Sequence, residues 1–278
     1  MLKKNMFKKG LQLAVIYIWY KGALDPGLIK AFTKSSYHSF ISPNLLYENP
    51  EQGIQKTCAT ILSHFNMTIF QEGLHQNVNL SRKTLFVCNH HSFLDVVVFK
   101  KILPDSAVVM RQDVSQELFF AFQKIMDYTV NHWNIIPYQR NNSESGKKVK
   151  QQMVQEWKDN NNVLVFPEGT TRRVIKTPFY PGSFRLALQE GVHIQPITLY
   201  YNNNHCCADD GTEDYHLDVV QYLKYVSHTK NNRCYLHFHP SIDTKKWTNS
   251  DYLQKHCEEV MIKKWNEYKE KDQNHELE

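Results

Sequence analysis

Asn89, His90, His91 and Asp95 follow the apolar run Phe86-Val87-Cys88, and their types and spacing offer acid–base chemistry. A histidine left at a strand's carboxyl end, just before a helix, meets substrate while two rigid elements hold it. Five residues of α-helix turn through about 500°, so His90 and Asp95 cannot both lie in one helix and still meet. With His90 in the loop, Ser92 capping the helix and Asp95 in its first turn, the carboxylate reaches back to one imidazole nitrogen. The other nitrogen is then left to take a proton. Ser92-x-x-Asp95 also has the form of a capping box, in which both side chains only satisfy helix amides. On these residues alone the two readings stand level, and His91 is expected to face solvent or to pack.

A second stretch, Val163-Leu164-Val165-Phe166-Pro167-Glu168-Gly169-Thr170-Thr171-Arg172-Arg173, again runs from a buried strand into a polar turn. Gly169 permits a backbone conformation or close approach closed to other residues, Thr170 and Thr171 offer hydroxyls, and the arginines offer planar forks suited to phosphate. The plain alternative is an ordinary turn with solvated arginines. Between the two stretches, Ile135-Ile136-Pro137-Tyr138-Gln139-Arg140 is a further strand end closing on arginine. Three strand ends then present a base and several cations, which is what transfer to a phosphate-bearing alcohol would need. An alcohol is a weak nucleophile, and a base acting as the carbon–oxygen bond forms contributes about 10²- to 10⁴-fold.

The elements that must position these residues follow from hydrophobic patterning. From Met67 onwards short β-rich runs alternate with helical stretches, the mark of an α/β fold with a mixed central sheet flanked by helices. Strands are expected over 67–71, 84–89, 107–111, 134–138, 162–166, 194–201 and 233–239. Helices are expected over 92–103, 115–128, 145–159 and 184–189, with an exposed charged helix over 249–271 and a loop over 202–216. Ile54, Cys58, Ile61, Leu62 and Phe65 recur at helical spacing and place another helix over 50–66. The chain therefore reads as an N-terminal helical, membrane-associating segment over 1–66 and an α/β domain over 67–278.

Lys3, Lys4, Lys8 and Lys9 precede the apolar run Leu11–Tyr20. A membrane-spanning helix needs about 20 such residues, and Lys21 closes this run too early. No small-residue cleavage site follows as a signal peptide requires. A helix over 5–21 lying on an anionic membrane surface, or packed on the main domain, is the expectation. On the first of these readings the chain is expected to be a peripheral protein on the cytoplasmic side of a membrane. The net charge of +5 comes without helix-turn-helix, zinc-finger or aromatic RNA-binding spacing, which argues against nucleic acid. Six cysteines without C-x-x-C spacing suggest a reducing compartment, and His205-Cys206-Cys207 does not make a metal site, so no metal is expected.

Asn89-His90-x-x-x-x-Asp95, the stretch from Ile135 to Arg140, Phe166-Pro167-Glu168-Gly169-Thr170 and Val192-His193-Ile194-Gln195-Pro196 resemble, in order, the four motifs of the glycerolipid acyltransferase family. The resemblance runs over about 67–201. It implies transfer of a fatty acyl chain from coenzyme A or acyl carrier protein to a hydroxyl of a lysophospholipid, with no cofactor beyond that acyl donor. It makes His90 the general base and Asp95 its orienter. It assigns the acceptor's phosphate to Glu168, Gly169, Thr170, Thr171 and Arg172 with Arg140, and places Arg111 where the family often has lysine. For Glu168, positioning an arginine or a loop amide is the more natural role. Thr171 separates Thr170 from Arg172, and His193 stands where proline is usual; with Gln195-Pro196 and a terminal tyrosine, this last stretch looks closer to members acting on varied lysolipids, including lyso-aminolipids. A lipid or thioester hydrolase is the alternative enzyme, although no G-x-S-x-G elbow supplies a serine. A lipid-binding membrane protein is the alternative without chemistry.

Overall fold

The computed structural model describes residues 50–79, 81, 83–92, 94–111, 133–202 and 229–274. The helices expected over 5–21 and 115–128, and nearly all of the loop over 202–216, lie outside the described residues. Helix α1 (Pro50–His64) leads to β1 (Met67–Glu72), the single turn α2 (Leu74–Asn77), β2 (Thr84–Cys88), α3 (Asp95–Ile102), β3 (Ala107–Arg111) and β4 (Ile135–Tyr138). Then come α4 (Ser143–Lys158), β5 (Val163–Val165), α5 (Gly182–Glu190), β6 (His193–Tyr201), β7 (Asn232–Phe238), a 3₁₀ turn (Thr244–Lys246) and α6 (Ser250–Gln273). The strands form one sheet in the order β1-β7-β6-β2-β5-β3-β4. Every neighbouring pair is parallel except β6 with β7, so the expected mixed sheet is present. Helix α2, four residues long, was not expected, being too short to show a period.

Strand β2 shows why the sheet is covered on both sides. All five of its residues are buried, and they alternate: Phe86 and Cys88 join one apolar cluster, Leu85 and Val87 the other. A central parallel strand must be apolar on both faces, because helices close both. Leu62 and Phe65, at the end of α1 and just beyond it, meet Val98 and Phe99 of α3 in the first cluster. Met153 of α4, Phe184 of α5 and Met261 of α6 fill the second.

Helix α6 differs from its expectation. Its charges suggested an exposed helix, yet Leu253, Cys257, Met261 and Trp265 recur every fourth residue and are buried with Tyr268. That spacing makes one face, and of the charged residues between them Glu258 is also buried, accepting from Phe179 N at 2.7 Å. Asn249 starts the helix by accepting from Asp251 N at 2.7 Å and Tyr252 N at 3.3 Å, an N-cap of ordinary kind.

Strands β2 to β6 all point the same way, so their carboxyl ends share one edge. His90 follows β2, Arg111 ends β3, Arg140 follows β4, Gly169 follows β5 and Tyr201 ends β6. Strand β2 pairs with β6 only as far as Cys88 with Ile197; β6 then runs on to Tyr201 against β7. It overhangs the edge where His90 lies. Helix α3 is tied down at its far end by Lys100, whose buried Nζ donates to Pro104 O at 3.0 Å and Ser106 O at 2.5 Å.

Candidate active site

The local spacing of His90 and Asp95 folds as a loop followed by a helix start. His90 Nδ1 lies 2.7 Å from Asp95 Oδ2, with the His90 side chain 19% exposed and Asp95 fully buried. A carboxylate accepts, so Nδ1 carries the proton and Nε2 keeps its lone pair in the neutral ring. Phe166, just past β5, stacks on the imidazole at 4.3 Å between centroids and 22° between planes.

Asp95 does more than face the ring. Its Oδ2 also accepts from His91 N at 2.8 Å and Ser92 N at 2.9 Å, and its Oδ1 accepts from Tyr201 Oη at 2.7 Å. The capping expectation needs correction. The helix begins at Asp95 with Leu94 at the N-cap, and Ser92 Oγ accepts from Leu94 N at 3.0 Å. Only the return half of a capping box forms, because the carboxylate that reaches back to the Ser92 amide is also the partner of His90. Asp95 thus bonds both the His90 ring and the loop amides just ahead of the helix.

His91 packs rather than facing solvent. Its Nδ1 donates to Arg172 O, while Nε2 accepts from Trp265 Nε1 at 2.9 Å and lies 2.8 Å from Asn89 Nδ2. Burial lowers its pKa, which keeps the ring neutral and suits one donating and one accepting nitrogen. Asn89 is itself buried and bridges β2 to β6, donating to Leu199 O at 2.8 Å and accepting from Leu199 N at 2.8 Å.

The turn after β5 closes over the same loop. Glu168 Oε1 accepts from His90 N and Oε2 from Lys176 N, each at 2.9 Å. Of the roles open to Glu168, the contact with loop amides is the one seen: the carboxyl is buried and each oxygen takes one amide. Burial pushes it up to about 8 against the pull of the two amides and the Arg172 charge. Arg172 N donates to His90 O at 2.7 Å, so the histidine's backbone is held on both sides.

Gly169 sits at φ +68°, and a Cβ there would stand 2.7 Å from Tyr180 Cε2. Its carbonyl accepts from Arg140 Nη2, which brings the exposed arginine beyond β4 onto the turn. Thr170 is half-buried and Thr171 buried. Arg111 closes β3 in register with Tyr138 and so shares the edge. Tyr201 and Trp265 were not singled out from sequence. No local signal marks either residue, since their partners lie 106 and 174 residues away. Among the described residues, no group of three or more His, Cys, Asp or Glu could hold a metal ion.

The arrangement can accept a proton at His90 Nε2 beside a cationic turn. Residues 70–200 match the family model described as Acyltransferase. The chain is 22% identical over 172 residues to a 1-acyl-sn-glycerol-3-phosphate acyltransferase of Borreliella burgdorferi, covering 62% of this chain and 60% of that protein. It thus spans less than two thirds of that relative. The solved structure of the 1-acyl-sn-glycerophosphate (LPA) acyltransferase PlsC from Thermotoga maritima superposes with a TM-score of 0.63 at 17% identity, over 95% of this chain and 98% of that one. It shares the fold. The matched residues, which carry the His90–Asp95 pair, belong to the acyltransferase family.

Proposed function

We propose that the protein moves a fatty acyl group from a coenzyme A or acyl carrier protein thioester to a hydroxyl of 1-acyl-glycerol-3-phosphate or a related lysolipid. The observation that carries this is the 2.7 Å contact of His90 Nδ1 with a buried carboxylate, which leaves the proton-accepting role to Nε2 of a partly exposed ring. Nε2 takes the acceptor's hydroxyl proton as its oxygen attacks the thioester carbon. The tetrahedral intermediate expels the thiolate, which recovers the proton from the imidazolium. One ester forms, one thioester breaks, and no acyl-enzyme is required. The reaction needs the two substrates and no cofactor.

In this reading Arg140, Arg172, Thr170 and Thr171 receive the acceptor's phosphate, with Arg111 beside them, and Gly169 shapes the turn. Glu168 keeps the histidine loop in place. Both substrates are amphiphiles, which favours a peripheral site on the cytoplasmic side of a membrane. The basic, apolar start of the chain supports that reading, as do Val174 and Tyr180, large apolar side chains left 49% and 69% exposed beside the turn. No described helix is long and apolar enough to cross a membrane.

A thioester-release assay with lysophosphatidic acid and long-chain acyl-CoA, or acyl carrier protein in parallel, tests the reaction. Free thiol and diacylated product should appear together and vanish in His90→Ala. Fatty acid without diacylated product would instead make the protein a hydrolase.

A further inference from the structure

The register of β6 carries Tyr201 beyond the end of β2, and strand alternation puts it on the same face as Ile197 and Leu199, in the cluster with Leu94, Val98 and Phe99. Tyr201 is 4% exposed there. A phenolic hydroxyl in such a place is costly unless it is bonded. Its partner is Asp95 Oδ1 at 2.7 Å.

We infer that Tyr201 is a positioning residue for the His90–Asp95 pair, fixing the Asp95 carboxylate so that Oδ2 is presented to the His90 ring. The three donors to Oδ2 are His90 Nδ1 and the His91 and Ser92 amides. All belong to the segment whose conformation Asp95 has to hold. Tyr201 supplies an anchor from a separate element, the sheet. A carboxylate's terminal torsion is broad and nearly two-fold, so a group held only by its own loop turns and drifts with that loop. A fourth bond on the other oxygen, from a strand paired with β7 at that point, stops the rotation and sets the plane in which the imidazole sits. Tyrosine reaches this point because β6 overhangs β2 by the four residues after Ile197. Phenylalanine would fill the same apolar space without the bond.

The inference rests on reading His90 as the base, and two measurements separate it from that reading. The first is proton NMR of the full chain carrying ¹⁵N-histidine, with His90→Ala used to assign the Nδ1–H resonance of His90. In Tyr201→Phe that resonance should shift or broaden through faster exchange with water; an unchanged resonance overturns the inference whether or not the protein turns over thioester. Tyr201→Leu serves if the phenylalanine variant misfolds.

The second is the thioester-release assay. Tyr201→Phe should lower kcat about 10-fold while leaving both KM values within about 2-fold, as expected for a lost bond to a charged group that does not touch substrate. In the Asp95→Asn background the same change should cost nothing further. Equal losses in both backgrounds would reduce Tyr201 to a packing residue. If the wild-type protein releases no thiol, the acyl-transfer reading fails, and the NMR comparison still decides the role of Tyr201.

Discussion

Glu168 grips the backbone of His90 and not its ring: Oε1 accepts from the His90 amide at 2.9 Å while Oε2 accepts from the Lys176 amide at 2.9 Å. The carboxylate joins the loop after β2 to the loop after β5, two segments that no local interaction brings together. Glu168→Gln can keep one of these bonds, but its NH₂ then opposes the second N–H. A fall in kcat of about 10-fold with the acceptor's KM nearly unchanged is expected, from one lost buried hydrogen bond. A rise in acceptor KM at constant kcat would instead place Glu168 on the substrate.

The same carboxyl makes stability depend on pH. Burial raises it from 4.5 to about 8, so the folded protein keeps a proton that the unfolded chain releases. Its contribution is full below pH 4.5 and is lost as pH rises through about 8. His239 works in the opposite sense. Burial, reinforced by the charges of His237 and Lys264, lowers it from 6.5 to about 3, so its contribution is present above 6.5 and lost as pH falls toward 3. Thermal unfolding from about pH 4 to about pH 8.5 should show Glu168→Gln flattening the alkaline decline and His239→Gln the acid one.

Gly169 holds a left-handed backbone against the Tyr180 ring. Gly169→Ala adds the conformational cost of that region, about 1 kcal/mol, and a Cβ standing 2.7 Å from Tyr180 Cε2. Denaturant unfolding should show the loss. Tyr180→Ala in the same chain should recover the part due to the clash and leave the backbone part.

Asn89 imitates a strand neighbour for Leu199, accepting from its N–H and donating to its C=O, both at 2.8 Å. Asn89→Ala leaves two buried backbone groups without that partner, so a destabilisation of about 2–4 kcal/mol is expected in urea unfolding. Asn89→Asp should be no better, because it offers an acceptor where the Leu199 carbonyl needs a donor.

Each of the seven strands lies within one residue of the ends read from its apolar run, and the seam between His90 and Asp95 was legible because it spans only five residues. A loop, a helix start and a carboxylate that reaches back are decisions of local backbone geometry. The buried stripe of α6 could have been read from its four-residue spacing, but the surrounding charges concealed it. What the chain alone could not settle was who stands beside whom at the sheet edge. The partners of Asp95, His91 and the His90 amide come from Tyr201, Trp265 and Glu168, which lie 106, 174 and 78 residues away. Their meeting depends on strand order, on the overhang of β6 past β2 and on the packing of α6 across the sheet. Spacing along the chain determined the histidine–aspartate pair; only the tertiary structure, through register between distant strands, decided what holds it still.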